Sequence, residues 1–143
     1  MSALSNPTPI TTIAPAPGDD YVAGACNIGP WEIRRRRRTA LAAFVGAAVL
    51  FAFLVAIGAP AWTRLVLLLP LWAGGIAWLQ ARRRFCVAYA MGGMANFGDG
   101  EATRQSVVDP EQRAADRRAT ISLVRDAFLL AIIPTVVAVL LPL

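Results

Sequence analysis

The sequence predicts an all-α integral membrane protein with three transmembrane helices, the first two packed as an antiparallel hairpin. Three observations lead there. Apolar residues fill 57% of the 143 positions and mean hydropathy is positive, where a soluble domain is about half apolar. The chain contains long blocks with little or no charge. The borders of those blocks are crowded with arginine, at Arg34, Arg35, Arg36, Arg37 and Arg38 and again at Arg82, Arg83 and Arg84.

Residues 1–33 read as a disordered amino-terminal tail and a short juxtamembrane segment. Pro7, Pro9, Pro15 and Pro17 break any helix, and the intervening serines and threonines cannot form a core. "NIGP" at 27–30 is a turn signal. The hairpin occupies 34–84. Its first span, 39–58, is twenty residues without a charge; at ~1.5 Å rise per residue that covers the hydrocarbon core of a bilayer. Ala59, Pro60 and Ala61 break it. The second span, 62–81, is interrupted only by Arg64 and Gln80.

Residues 85–120 form an interfacial segment and an amphipathic helix. The stretch 85–98 is either a short interfacial helix, weakened by Gly92 and Gly93, or a docking loop. The helix after it opens with Asp109 as cap, Pro110 at the first position and Glu111 in the first turn. It runs into a third span within 121–143, with Arg125 and Asp126 near the interface. Pro70 and Pro134 fall inside spans, where each removes a backbone donor and kinks its helix. A cleavable secretory signal is the competing reading of the first apolar run, because Ala59-Pro60-Ala61 has the A-x-A pattern. That run is longer than a signal's hydrophobic region, and a second span starts directly behind it.

Arginine placement sets the orientation. All fourteen basic residues are arginine, and alternating three spans leaves only Arg64 on the far side. The positive-inside rule then puts the amino terminus in the cytoplasm and the carboxy terminus outside. The composition, rich in alanine and arginine and without lysine, points to a bacterial inner membrane. Each arginine beside a span gains roughly 1 kcal/mol from the anionic leaflet. Trp31, Trp62 and Trp78 suit interfacial anchors. The partner of these arginines is the lipid bilayer and not nucleic acid, since no aromatic interleaving or nucleic-acid module accompanies them.

Small residues recur every fourth position at Ala48, Ala52 and Ala56 in the first span and at Ala73, Ala77 and Ala81 in the second, beside Gly74. Such stripes let helices approach closely in lipid, so these two faces are expected to meet.

Chemistry is sparse. Without histidine the chain lacks the usual general base and the commonest metal ligand. The spans carry no embedded acid or lysine that would mark an ion path. Cys26 and Cys86 flank the two arginine clusters and converge if the hairpin forms. They are ordinary reduced thiols, or reactive thiolates stabilised by arginine, or, with Met91 and Met94 on one helix face, soft donors for copper(I).

At "CNIGPWEIRRRR" and "RFCVAYAMGGMANFG" the chain resembles small uncharacterised bacterial multi-span membrane proteins with a CNIG motif before the first span. That resemblance implies a membrane location and no activity, cofactor or site residues. The expectation is a small non-catalytic membrane protein, an accessory or scaffold subunit that associates with other membrane proteins or with itself. The alternative is a cytoplasm-facing thiol-redox or copper(I)-binding protein using Cys26 and Cys86.

Overall fold

The computed structural model describes residues 20–143; the disordered tail expected over 1–19 lies outside them. The described chain is mostly helical. Helix α1 runs Pro30–Ala56, starting ahead of the expected span because Pro30 at its first turn has φ preset for a helix and Glu32 favours the positive helix end. Gly58, at φ +66, reverses the chain. A 3-10 turn, Ala61–Leu67, then leads into α2, Leu68–Arg83. Pro70 offers no N–H to the Val66 carbonyl and crowds it, which suits the tighter winding before it. Helix α3 is short, Val87–Gly92. Helix α4 runs unbroken through Pro110–Leu140, with Asp109 accepting from the Glu111 N–H at 2.9 Å as the cap. Three helical segments are long and apolar enough to cross a membrane: Pro30–Ala56, Ala61–Arg83 and Pro110–Leu140.

The helices carry one small addition that the all-α expectation did not include. Strands β1, Met94–Asn96, and β2, Arg104–Ser106, pair antiparallel with Ala95 opposite Gln105. Gly93 at φ +65 ends α3 and turns the chain into β1. Met94 therefore cannot share a helix face with Met91. The stretch 85–98, expected as a short interfacial helix or a docking loop, holds the short helix α3 followed by strand β1. Ile28 adds an isolated parallel bridge to Asn96, so the short juxtamembrane segment is built into the fold.

Helix packing follows the small-residue principle on different faces. On α1 the buried residues are Glu32, Ala40 and Ala47, whereas Ala48, Ala52 and Ala56 are exposed. A Cβ on Gly74 would lie 2.7 Å from the Phe44 ring and 3.2 Å from Ala43 Cβ, so α2 approaches α1 where a side chain is missing. Ala73 faces outward, while Gly74, Gly75, Ala77 and Ala81 are buried. Helix α4 turns inward a stripe that the sequence reading passed over: Asp116, Thr120, Leu123, Ala127, Ala131, Thr135 and Ala138. Its steps of three and four keep these residues on one face.

Leu79, Phe85, Ala90, Leu123 and Ala127 form the main core cluster, with Trp72 packed against it. The Trp72 indole donates to the Val124 carbonyl at 3.1 Å and meets Phe128 edge-on at 5.4 Å. Arg64, expected as a lone outer charge, is 2% exposed. Its guanidinium donates to the carbonyls of Ala138, Leu141 and Leu143 at 2.8–3.0 Å. A fixed cation there satisfies carbonyls left without helical donors and opposes the negative end of α4.

Candidate functional site

The buried polar groups concentrate where the ends of α1 and α2 meet α3 and β1. Asn27 has no exposure, and its amide closes a two-way clamp on the Cys86 backbone. Oδ1 accepts from the Cys86 N–H at 2.6 Å, and Nδ2 donates to the Cys86 carbonyl at 3.1 Å. The Asn27 and Ile28 N–H groups donate to the Arg84 carbonyl, the Asn96 N–H donates to the Asn27 carbonyl at 2.9 Å, and the Gly29 N–H donates to the Asn96 carbonyl at 2.8 Å. Gly29 must be glycine for space: a Cβ there would fall 2.5 Å from the Phe97 carbonyl oxygen. The CNIG stretch is thus a latch. Its asparagine clamps, its isoleucine fills the cluster with Cys86 and Tyr89, and its glycine admits β1.

Beneath the latch sits a buried carboxylate. Glu32 is fully buried, and its Oε1 accepts from the Tyr89 hydroxyl at 2.7 Å. Arg35 and Arg36 stand 3.8 and 3.7 Å from its two oxygens. These arginines lie three and four residues on, one turn along the same helix, where opposite charges meet. Arg36 also donates to the Cys86 sulfur at 2.8 Å. Tyr89 receives Asn96 Nδ2 at 3.4 Å and lies under the Arg104 guanidinium, 5.3 Å from the ring centroid. Asn96 in turn accepts from the Thr103 hydroxyl at 2.7 Å. A buried ion pair is costly to break from one side, by about 3–5 kcal/mol, because the remaining charge is stranded.

The start of the described chain is strapped to α4 by a second buried acid. Asp116, fully buried, accepts from the Tyr21 hydroxyl at 2.9 Å and from the Gly24 N–H at 2.7 Å. Burial, with Asp116 adding to it, pushes the Tyr21 phenol well above its usual range, so the hydroxyl stays a donor.

The four expected sulfur residues sit in different surroundings. Cys86 is fully buried and Cys26 partly so, and both are free thiols. Burial raises the Cys26 thiol above its usual value, against smaller opposing pulls from the Ile28 backbone and Arg84. That is the reverse of an arginine-activated thiolate. Met94 packs on the cluster containing Cys86, while Met91 points outward at 56% exposure. Among the described residues no group of three or more histidine, cysteine, aspartate or glutamate side chains could hold a metal. The expected topology arginines divide by use. Arg83 pairs with Asp126 at 2.7 Å and Arg82 lies over Trp78 at 5.1 Å. Arg34, Arg37 and Arg84 line a cavity of about 600 Å³ with Cys26.

Sequence reasoning missed Asn27, Glu32, Tyr89, Asn96 and Asp116 as a network. The only local sign was Glu32 in an otherwise basic run. No family model matches the chain, and no curated protein or solved structure matches it.

Proposed function

We propose that the protein is a non-catalytic accessory or scaffold subunit of a bacterial inner-membrane complex. In this reading α1 and α2 form an antiparallel hairpin, α4 is the third span, and the arginine-rich ends face the cytoplasm. The observation that carries it is the outward ridge of Ala48, Ala52 and Ala56. Small residues at that spacing suit close helix approach in lipid, and the residues of α1 buried within this chain are others, Glu32, Ala40 and Ala47; Ala48 borders the groove toward α4. Only 11% of the apolar stretch of α1 is buried within the chain, against 33% and 28% for the other two; α1 is therefore the helix most available to a neighbour.

The buried polar network supports the same reading. It ties the latch, α3, β1 and β2 to the helix ends, and so gives the hairpin a fixed base. A rigid base with an open helix suits a part that others dock against. The thiol or copper(I) alternative draws no comparable support, because Cys86 is sealed and Met91 points away.

Site-specific photocrosslinking in native membranes tests the proposal. A crosslinker at Ala52 is expected to capture a membrane protein or a second copy of this chain, and one at buried Ala40 is not. If the protein stays monomeric and uncrosslinked from every exposed α1 position, the accessory reading is wrong.

A further inference from the structure

Apart from Arg38, which is exposed and does not line the cavity described below, the arginines bordering α1 and α2 fall into two groups. Arg35 and Arg36 face Glu32, Arg83 faces Asp126, and Arg82 stacks on Trp78. Arg34, Arg37 and Arg84 have neither carboxylate nor ring partner among the described residues, and all three line one cavity of about 600 Å³. Arg34 and Arg37 are three apart on α1, on one face of the helix. Arg84 arrives from the end of α2 in a left-handed conformation, φ +51, the one non-glycine residue with positive φ among the described residues. Such conformations persist where the surroundings over-determine them, and they cluster at binding sites. Here the Arg84 carbonyl is fixed by the Asn27 and Ile28 N–H groups.

The cavity has a second character. Ile28, Ile33 and Phe97 give it an apolar wall. Asp20, exposed, sets one opposing charge against the three guanidinium groups. The face of α1 that carries Arg34 and Arg37 continues through Leu41 and Phe44, seven residues further on in each case. Leu41 is exposed, and Phe44 borders an apolar groove of about 520 Å³ that also touches α4 at Pro134. Cationic groups thus lead along one helix face to an apolar trough.

We propose that this cavity binds the phosphate of an anionic phospholipid. Arg34, Arg37 and Arg84 are the donors, and an acyl chain follows Leu41 and Phe44 into the groove. Guanidinium groups match phosphate oxygens in paired hydrogen bonds, and the apolar continuation favours a lipid over free phosphate. The proposal rests on the long helices lying in lipid, a premise that alkaline washing of membranes tests separately.

The binding experiment uses the full chain in uncharged detergent, titrated with dihexanoyl phosphatidylglycerol, dihexanoyl phosphatidylcholine and inorganic phosphate. The phosphatidylglycerol is expected to bind saturably and at least about tenfold more tightly than either of the others. Arg34→Gln/Arg37→Gln is expected to weaken it by about tenfold or more, since hydrogen bonds to charged groups are lost. Arg84→Gly removes a guanidinium while relieving the positive φ, so weaker binding with undiminished thermal stability separates ligand loss from unfolding. Arg38→Gln/Arg82→Gln changes the net charge equally and should stay within about twofold. Equal losses in both double variants would reduce the effect to general surface charge and overturn the site. Inorganic phosphate binding as tightly as the lipid would overturn the lipid assignment, and absence of saturable binding would overturn both.

Discussion

Replacing Asn27 by alanine should open the latch where the ends of α1 and α2 meet α3 and β1. The side chain makes two hydrogen bonds to the Cys86 backbone, at 2.6 and 3.1 Å, from a position without solvent exposure. The Cys86 carbonyl keeps the Ala90 N–H at 3.0 Å, but the Cys86 N–H is left without its partner. Losing two such bonds and orphaning one buried donor costs about 2–4 kcal/mol. If that cost falls on a local opening, the population in which Cys86 is reachable rises by about 30- to 1,000-fold. The assay is the rate of maleimide alkylation at Cys86 in a Cys26→Ser background, in detergent or vesicles. Asn27→Asp keeps the acceptor and loses the donor to the carbonyl, and should fall between the parent and Asn27→Ala. An alkylation rate unchanged within about twofold in Asn27→Ala would show that the clamp does not hold this corner, and the latch argument would fail.

Three further outcomes follow from particular contacts. Gly29→Ala places a methyl 2.5 Å from the Phe97 carbonyl oxygen, and thermal unfolding in detergent should show a destabilisation of about 1–3 kcal/mol; an unchanged midpoint refutes the close approach. Arg64→Gln removes the cation from the Ala138, Leu141 and Leu143 carbonyls, so limited proteolysis should cut the end of α4 faster, while equal rates would show that this contact is idle. Cys26 is held above the ordinary thiol range chiefly by burial. Its thiolate fraction at neutral pH is therefore reduced, and alkylation in a Cys86→Ala background should rise only at a pH above that of a free cysteine. A rise at or below the free-thiol pH contradicts the assigned environment.

The long elements were legible because their signal is periodic or contiguous. Long runs with little or no charge mark the apolar helices, and the Asp109-Pro110-Glu111 start is realised as the cap of α4. Which face of α1 turns inward was not legible. Alanine occupies several faces, and the choice of Ala40 and Ala47 over Ala48 and Ala52 depends on where Gly74 allows α2 to approach. The polar frame was hidden for a different reason. Tyr21 and Asp116 are 95 residues apart in sequence, and Asn27 and Cys86 are 59 apart. Pairings of that kind leave no local period. Glu32 among arginines was the visible trace, and only the buried Tyr89 hydroxyl identifies its partner. The short β1–β2 pair was obscured by "MGGM", where the glycine that weakens a helix also supplies the turn into a strand.

Lipid as the solvent for the long helices, with the arginine-rich base in the cytoplasm, is the claim on which the functional reading depends. It is tested most directly by an impermeant maleimide applied to intact cells and to inverted vesicles, with one new cysteine in a Cys26→Ser/Cys86→Ala background. Trp62 and Val108 are 69% and 79% exposed and lie toward opposite ends of the helices. Trp62→Cys should label in intact cells, and Val108→Cys only in inverted vesicles. Labelling of both from the same side, or the reverse pattern, contradicts the account.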